Sequence, residues 1–462
     1  MPFHKKHIDF ILEILNNINK KENMIKQVLE SIIVGVPGSY NMFSLEIEIN
    51  GKANSQNNST IFHEYTHYLQ NMTTISGFVT LDKYIHVLLA SFTKLGSDLV
   101  DPKIPLCNYH ELQSVLGDKN IYNILKSRSF GMDFDNSGKR YIFQDTDLDD
   151  YTISEGEYFD HFSKLFFRIP YIAIDGKNIP LNEIVIKENM ALVNTIIASL
   201  TSKKLTENDI DEILSYEYKE YNVLFDFINH YLPNCDLLKL VYSLCEISLN
   251  LHYFEQILGN ILRLIQKEAE ELSKMKTDEL IFFIKDSIQY DIRFSKLLSI
   301  IHERAIKETI ALFNGFVFSE NQFISIMKDF YNYLINGLKY RKTHETLYIE
   351  SFSNEYIQNL ATVIGNPVIF FQEEKEYKGF SETPEYFFDD FVYLHGALKI
   401  FTQLYYCNVL LCPFLQKSIC KVMKNKNCYD NCLSNYDDKA YKNCLLSNAL
   451  ICTGIRQVNR HA

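Results

Sequence analysis

The chain has no tryptophan in its 462 residues, yet it carries 30 Tyr and 33 Phe. Core-forming material is therefore not short. Hydrophobic residues make up 47% of the sequence, which excludes a disordered composition. The missing Trp, with many Lys, Asn and Ile, reads as base composition of the coding DNA and not as function. An excess of positive charge is also absent. The net charge of −12 excludes a global nucleic-acid footprint, which needs the opposite sign. The longest basic runs, KYRK at 339–342 and KVMKNK at 421–426, are short. No stretch reaches the roughly 18 apolar residues of a membrane span. The nearest, residues 397–415, is interrupted by Lys399, Gln403 and Asn408 and reads as a buried helix. The opening MPFHKKHIDFILEILNN is broken by Asp9, Glu13, Asn16 and Asn17 and is followed by no small-residue cleavage site. A soluble, cytoplasmic protein is expected, with neither membrane nor nucleic acid as a partner.

Paired C-x2-C knuckles are missing too, so no tight zinc ribbon is present. The ten cysteines are unevenly spread. Cys107, Cys235 and Cys245 are scattered, whereas Cys407, Cys412, Cys420, Cys428, Cys432, Cys444 and Cys452 crowd the end of the sequence. A reducing compartment makes free thiols packed in helices the default. A structural metal or cluster held by some of the seven is the alternative, with disulfides a third. A catalytic cysteine paired with His395 has no local motif behind it. His252, His302 and His344 stand singly in helical text and read as packed or surface residues. The acidic run Asp145–Asp150 lacks the ligand spacing of a calcium loop and reads as solvated.

Internal repeats and low-complexity linkers are absent, and breakers are few between 205 and 340. What remains is mostly helical periodicity. Residues 7–34 carry helical spacing in two pieces, ended by GVPGS at 35–39. FSLEIEI then alternates, with Phe43, Leu45, Ile47 and Ile49 on one face, and predicts a half-buried strand over 43–49. After a polar loop, Ser59 or Thr60 is placed to cap a helix over 60–74. A further helical stretch is expected at 78–96. Residues 128–180 read as irregular, with a hairpin around YIAIDGKNIPL, and Asn182 is placed to cap a helix over 183–200. NPVIFFQEEKEYKGF at 366–380 reads as one strand and a turn. The expected fold class is mainly α with a small β-sheet (α+β). Three regions are expected: 1–204, holding the strand, the 60–74 helix and the 183–200 helix; 205–400, a helical region completing a cleft; and 401–462, a Cys-rich helical segment.

The helix over 60–74 carries the chemistry. Its text, IFHEYTHYLQ at 61–70, contains His63-Glu64-x-x-His67. Residues four apart lie one turn above each other, so His63 and His67 can point two imidazoles at one ion. Zn²⁺ accepts His nitrogen at about 2.0–2.1 Å. Glu64, rotated by about 100°, is placed to hold a water beside the ion, take its proton as general base and return it as acid. Ile61, Phe62, Tyr65, Tyr68, Leu69 and Met72 form one broad side of this helix; His63, His67, Gln70 and Thr74 form the other. That pattern suits a helix lining a cleft, the alternative being a surface histidine pair with no function.

HEYTHYLQ, preceded by a strand and a capped loop, resembles the active-site helix of the zincin metallopeptidases, over about 30 residues from Phe43 to Thr74. The resemblance implies a small sheet over an active-site helix, a mainly helical second half, and peptide-bond hydrolysis at zinc. A catalytic zinc takes three protein ligands. The metzincin pattern of Gly and a third His soon after the motif is not found. The gluzincin branch takes a Glu from a later helix in a Glu-x-x-Ala-like context, and IKENMALV offers Glu188 with Ala191. The departure is the long spacing from His67, which makes the 78–180 region an insertion. Glu157, Glu355, Asp82 and His86 are rivals for the third position. The oxyanion-stabilising group is sought in LHYFEQ at 251–256 or KYRKTHETLY at 339–348, with no residue singled out.

The expected function is therefore a zinc-dependent peptidase. His63, His67 and Glu188 would hold zinc, Glu64 would be catalytic, and the 43–49 strand would serve as an edge that aligns a protein or peptide substrate. A regulatory protein partner would restrain it. The alternatives are a helical interaction protein with a vestigial or non-catalytic metal site, and a zinc hydrolase of a non-peptide substrate.

Overall fold

The computed structural model describes residues 38–41, 45–50, 58–82, 139–143, 148–160, 165–201, 210, 213–214, 219–315, 322–344, 360, 363–365, 367–371 and 376–379. The fold is mainly α with a small β component, as expected. Among the described residues the β component forms two four-stranded sheets. The expected 7–34 helices, His86, Glu355, His395, Cys107 and the whole Cys-rich segment 401–462 lie outside the described residues.

The first sheet is built from β1 (Gly38–Asn41), β2 (Glu46–Ile49), β7 (Val368–Phe371) and β8 (Glu376–Gly379). Its order is β1-β2-β7-β8. β1 runs antiparallel to β2, and β2 runs parallel to β7, with Ile47 opposite Ile369 and Ile49 opposite Phe371. The 43–49 stretch was expected to be an edge strand, and this is corrected: β2 has a partner on each side. The reason is long-range. β7 comes about 320 residues later, beyond the reach of any local pattern. β7 and β8 pair as antiparallel strands, so 366–380 holds two strands where one strand and a turn were expected.

The second sheet is an antiparallel meander of β3 (Lys139–Phe143), β4 (Ile153–Asp160), β5 (Leu165–Ile174) and β6 (Lys177–Pro180). Much of the region read as irregular is therefore sheet. The expected hairpin is present. β5 and β6 are joined by Asp175 and Gly176, both with positive φ (51° and 68°), as a two-residue primed turn demands.

The helices are α1 (Asn58–Thr73), α2 (Glu183–Thr201), α3 (Lys219–Tyr231), α4 (Leu237–Leu249), α5 (Phe254–Leu272), α6 (Thr277–Ser287), α7 (Tyr290–Gly315) and α8 (Gln322–Thr343). Residues 75–82 continue the chain beyond α1 as a further helix. α1 begins at Asn58, before the expected Ser59 or Thr60 cap. α2 starts where Asn182 caps it: the Val185 N–H donates to Asn182 Oδ1 at 2.9 Å.

α1 is the centre of the core. It packs on α2, on α8 and on the β1–β2 face. Its aromatic side is enclosed: Tyr65, Tyr68, Leu69 and Met72 are buried, and the Tyr68 hydroxyl donates to the Ile364 carbonyl at 2.9 Å. α2 in turn packs on α3 and α4, where Val193, Ile196, Val223, Phe227, Leu244 and Ile247 share one apolar cluster. No described helix is long and apolar enough to cross a membrane. Cys245 is a buried free thiol and Cys235 a half-buried one; burial pushes the Cys235 thiol up to about 11.

Candidate metal centre

The polar side of α1 faces α2 and not solvent. His63, Glu64, Thr66, His67, Gln70 and Thr74 are all buried. This corrects the surface alternative for the histidine pair. Two helices press polar faces together here, and some of the polar groups find partners across the contact. Asn194 Nδ2 donates to Thr66 Oγ1 at 3.3 Å, and Gln70 Nε2 donates to the Lys187 carbonyl at 2.9 Å. The sequence pattern alone could not say what covers a polar helical stripe.

At the middle of that contact three ligand-type atoms converge. His63 Nε2 lies 3.2 Å from Glu188 Oε2, and His67 Nε2 lies 3.4 Å from the same oxygen. The two Nε2 atoms are 3.3 Å apart. The triangle has the size of one face of a zinc tetrahedron, since ligands at 2.0–2.1 Å from a common ion sit roughly 3.3–3.4 Å from one another. Among the described residues, His63, His67 and Glu188 form a group of metal-ligand type with all three buried.

The protonation pattern calls for a positive centre among these atoms, which a proton or a metal ion supplies. The Gln70 amide nitrogen is committed to the Lys187 carbonyl, so its oxygen faces His67 Nδ1 at 2.9 Å. His67 Nδ1 is then the donor, and Nε2 of the neutral ring carries a lone pair. That lone pair points at His63 Nε2 and at a carboxylate oxygen. Three acceptors within about 3.4 Å repel unless a proton or a cation sits among them. The electrostatics of the bare protein say the same. Burial opposes charging His67, but the Glu188 and Glu64 carboxylates outweigh it and push the ring up to about 9. Glu188 responds inversely: burial would raise its carboxyl, but the His67 and His63 imidazoles hold it well below the usual carboxylate range. The other His63 nitrogen, Nδ1, is buried with no hydrogen-bond partner.

Glu64 is buried beside the triad but turned toward β1. Its carboxylate accepts the backbone N–H of Tyr40. Burial raises its pKa, with the His63 and His67 imidazoles opposing and Glu188 adding to the rise. A carboxyl held in this way gains a proton more readily than a solvated one.

The rivals to Glu188 have other partners or places. Asp82 accepts the Tyr331 hydroxyl at 2.8 Å. Glu157 sits in β4, opposite Ile142 and Arg168. In the two stretches that could offer an oxyanion group, 345–348 lie outside the described residues and the following described residues have other places. Tyr253 is exposed and stacked on His252, Tyr340 stacks on His344, and Arg341 is buried in an ion pair with Glu246. The sequence reading missed Gln70 as a partner of His67 and Tyr40 as a partner of Glu64. Gln70 lay in plain view one turn after His67; the Tyr40 contact is made by backbone and left no signal.

The chain matches no protein-family model, no curated protein and no solved structure.

Proposed function

We propose that the chain is a zinc-dependent peptidase of the HExxH type, similar in its site to gluzincins. The observation that carries the reading is the buried convergence of His63, His67 and Glu188 at tetrahedral spacing, with Glu64 on the next position of the same helix. Zinc bound there would supply Lewis acidity, polarising a carbonyl and bringing water within reach of deprotonation near pH 7. The donor set fits zinc: two imidazoles and one carboxylate, with one imidazole orientated from behind by Gln70.

The chain's own residues do the rest. Glu64, its pKa raised by burial, takes the proton of the attacking water and delivers it to the leaving amine. The Tyr40 N–H holds the carboxylate on the β1 side of the site. Among the described residues β1 ends the sheet order and its Tyr40 N–H meets Glu64, so an extended protein or peptide substrate would add along this strand.

A second reading has one observation in its favour. The triad is only 4–6% exposed, which suits a structural, non-catalytic ion in a helical interaction protein. Two measurements separate them. The first is zinc content by elemental analysis in wild type, Glu64→Gln, His67→Ala and Glu188→Ala. The second is cleavage of an unfolded protein substrate by the same preparations. The peptidase reading expects about one zinc in wild type and in Glu64→Gln, with the Glu64→Gln rate down by about 10²–10⁴. It expects loss of zinc in the other two while they stay folded. One zinc in wild type with no cleavage of any protein or peptide offered leaves the structural ion. No zinc after metal-replete purification sinks both readings.

A further inference from the structure

We infer that Gln70 is a positioning residue for the metal site: its side chain sets the tautomer and rotation of His67, and its bond to the Lys187 carbonyl fixes which way the amide points. The inference rests on the metal-site reading above and adds to it a residue outside the HExxH string.

The geometry is specific. Gln70 is fully buried and lies three residues after His67, on the same face of α1. Its amide makes two bonds at once. Oε1 accepts from His67 Nδ1 at 2.9 Å, and Nε2 donates to the Lys187 carbonyl at 2.9 Å. The second bond fixes which way the amide points, because a carbonyl only accepts. The first bond then requires a proton on His67 Nδ1, so that in the neutral, metal-binding ring the lone pair is on Nε2, which lies beside Glu188 and His63. A ligand imidazole whose other nitrogen is held is fixed in tautomer and rotation and gains basicity. His63 has no such support at Nδ1, so among the described residues Gln70 is the side chain that orientates this pair.

Lys187 is the residue before Glu188, and α1 grips it twice. Gln70 takes its carbonyl; Asn71 Oδ1 accepts from its Nζ at 3.0 Å, with Glu183 Oε1 at 2.7 Å completing the ammonium's contacts. The α2 backbone at 187–188 is thereby set against the turn of α1 that carries His67. One buried amide thus touches both of the helices that carry the ligands.

Two replacements separate orientation of the imidazole from simple fastening of the two helices. Gln70→Met keeps the size and removes both bonds. Gln70→Glu keeps an acceptor for His67 Nδ1–H but loses the donor to the Lys187 carbonyl. Zinc affinity of the full-length chain is measured by competition with a chromophoric chelator, and folding by thermal unfolding of the same samples. The expected result is a loss of about 10–100-fold in Gln70→Met, with Gln70→Glu within about threefold of wild type or tighter. Wild-type affinity in a folded Gln70→Met overturns the inference and leaves the metal site standing. Equal losses in both variants overturn the orientating role, since the bond both lack is the one to Lys187. Should Gln70→Met fail to fold, Gln70→Glu still decides: a loss of about 10-fold or more counts against orientation. A wild type that takes up no zinc sinks the metal-site reading and this inference with it.

Discussion

α1 meets buried charge at two places, its last turn and its middle, and the two are built on opposite principles. Near its C-terminus, Arg341 is 1% exposed and directs its guanidinium at two acceptors. Nε and Nη2 donate to Thr73 Oγ1 at 3.0 and 2.7 Å, and Nη1 donates to Glu246 Oε2. Asn250 Nδ2 donates to the other Glu246 oxygen at 2.7 Å, and Asn250 Oδ1 accepts the Ile75 N–H at 3.3 Å. Donors and acceptors match, and one positive charge meets one negative. At the middle of α1, His63, His67 and Glu188 bring two imidazole nitrogens to one carboxylate oxygen, with a second carboxylate, Glu64, at hand. The first cluster is complete as it stands, and the second is completed only by a proton or a metal ion at its centre. Buried charge alone therefore says little about function; unmatched lone pairs converging on a point of atomic size say much more.

The comparison breaks most sharply at Arg341. Arg341→Met leaves Glu246 as an uncompensated buried charge and is expected to destabilise by about 3–5 kcal/mol in denaturant unfolding. Zinc bound per folded molecule stays at the wild-type value. Replacing Arg341 by Met and Glu246 by Leu together recovers much of the loss, as a structural pair should. A variant that loses zinc while remaining folded would erase the division between the two places.

Next in size is the pH dependence of the metal-free protein. His67 sits at about 9 in the fold against 6.5 in the unfolded chain, so its stabilisation is full below pH 6.5 and is lost as pH rises through 9. Glu188, depressed in the fold, contributes above its ordinary value of 4.5, and that contribution is lost in acid. Metal-free protein should be most stable near pH 5–6 and weaken toward pH 9, by a total on the order of 3 kcal/mol. Bound zinc takes the place of the His67 proton and should flatten the alkaline limb. Unfolding midpoints from pH 5 to 9, with zinc and with chelator, test this. Identical profiles in the two conditions would argue against an ion at this place.

A smaller effect is expected at Gly337. α8 approaches α1 so closely there that a methyl group would collide with the Met72 carbonyl, with Ile364 Cγ2 3.0 Å away. Gly337→Ala should cost about 1–3 kcal/mol through overpacking. It loosens the Arg341 cluster, one turn further along α8, and leaves the triad undisturbed. Zinc affinity that falls together with stability would show that α8 also holds the metal site.

The sequence carried some of this and not the rest, for physical reasons. HEYTH was legible because ligand spacing and helical period coincide within five residues. Glu188 could be nominated as a carboxylate before a small residue on a capped helix. Asn182 and the Asp175–Gly176 turn were legible because caps and primed turns are local chemistry. The central position of β2 was not, because its second partner, β7, lies far along the chain. β3 to β5 were read as irregular because their acids and aromatics pair across strands and not within one. The Arg341–Glu246 pair joins residues 95 apart, and no periodicity announces it.

The smallest change tests the triad most finely. Asn182 Oδ1 accepts the Val185 N–H and starts α2 six residues before Glu188. Asn182→Ala should lower stability by about 1 kcal/mol, the usual cost of a lost N-cap. If the Gln70–Lys187 and Asn71–Lys187 contacts set the position of Glu188, fraying the first turn of α2 should not reach it. Zinc affinity should then move by less than about threefold, as for sites without shared partners. Stability from thermal unfolding and affinity from chelator competition on the same preparation decide the matter. A loss of about 10-fold or more in affinity would mean that the helix start, and not the clamp on Lys187, holds the third ligand, and that the metal site depends on the whole of α2.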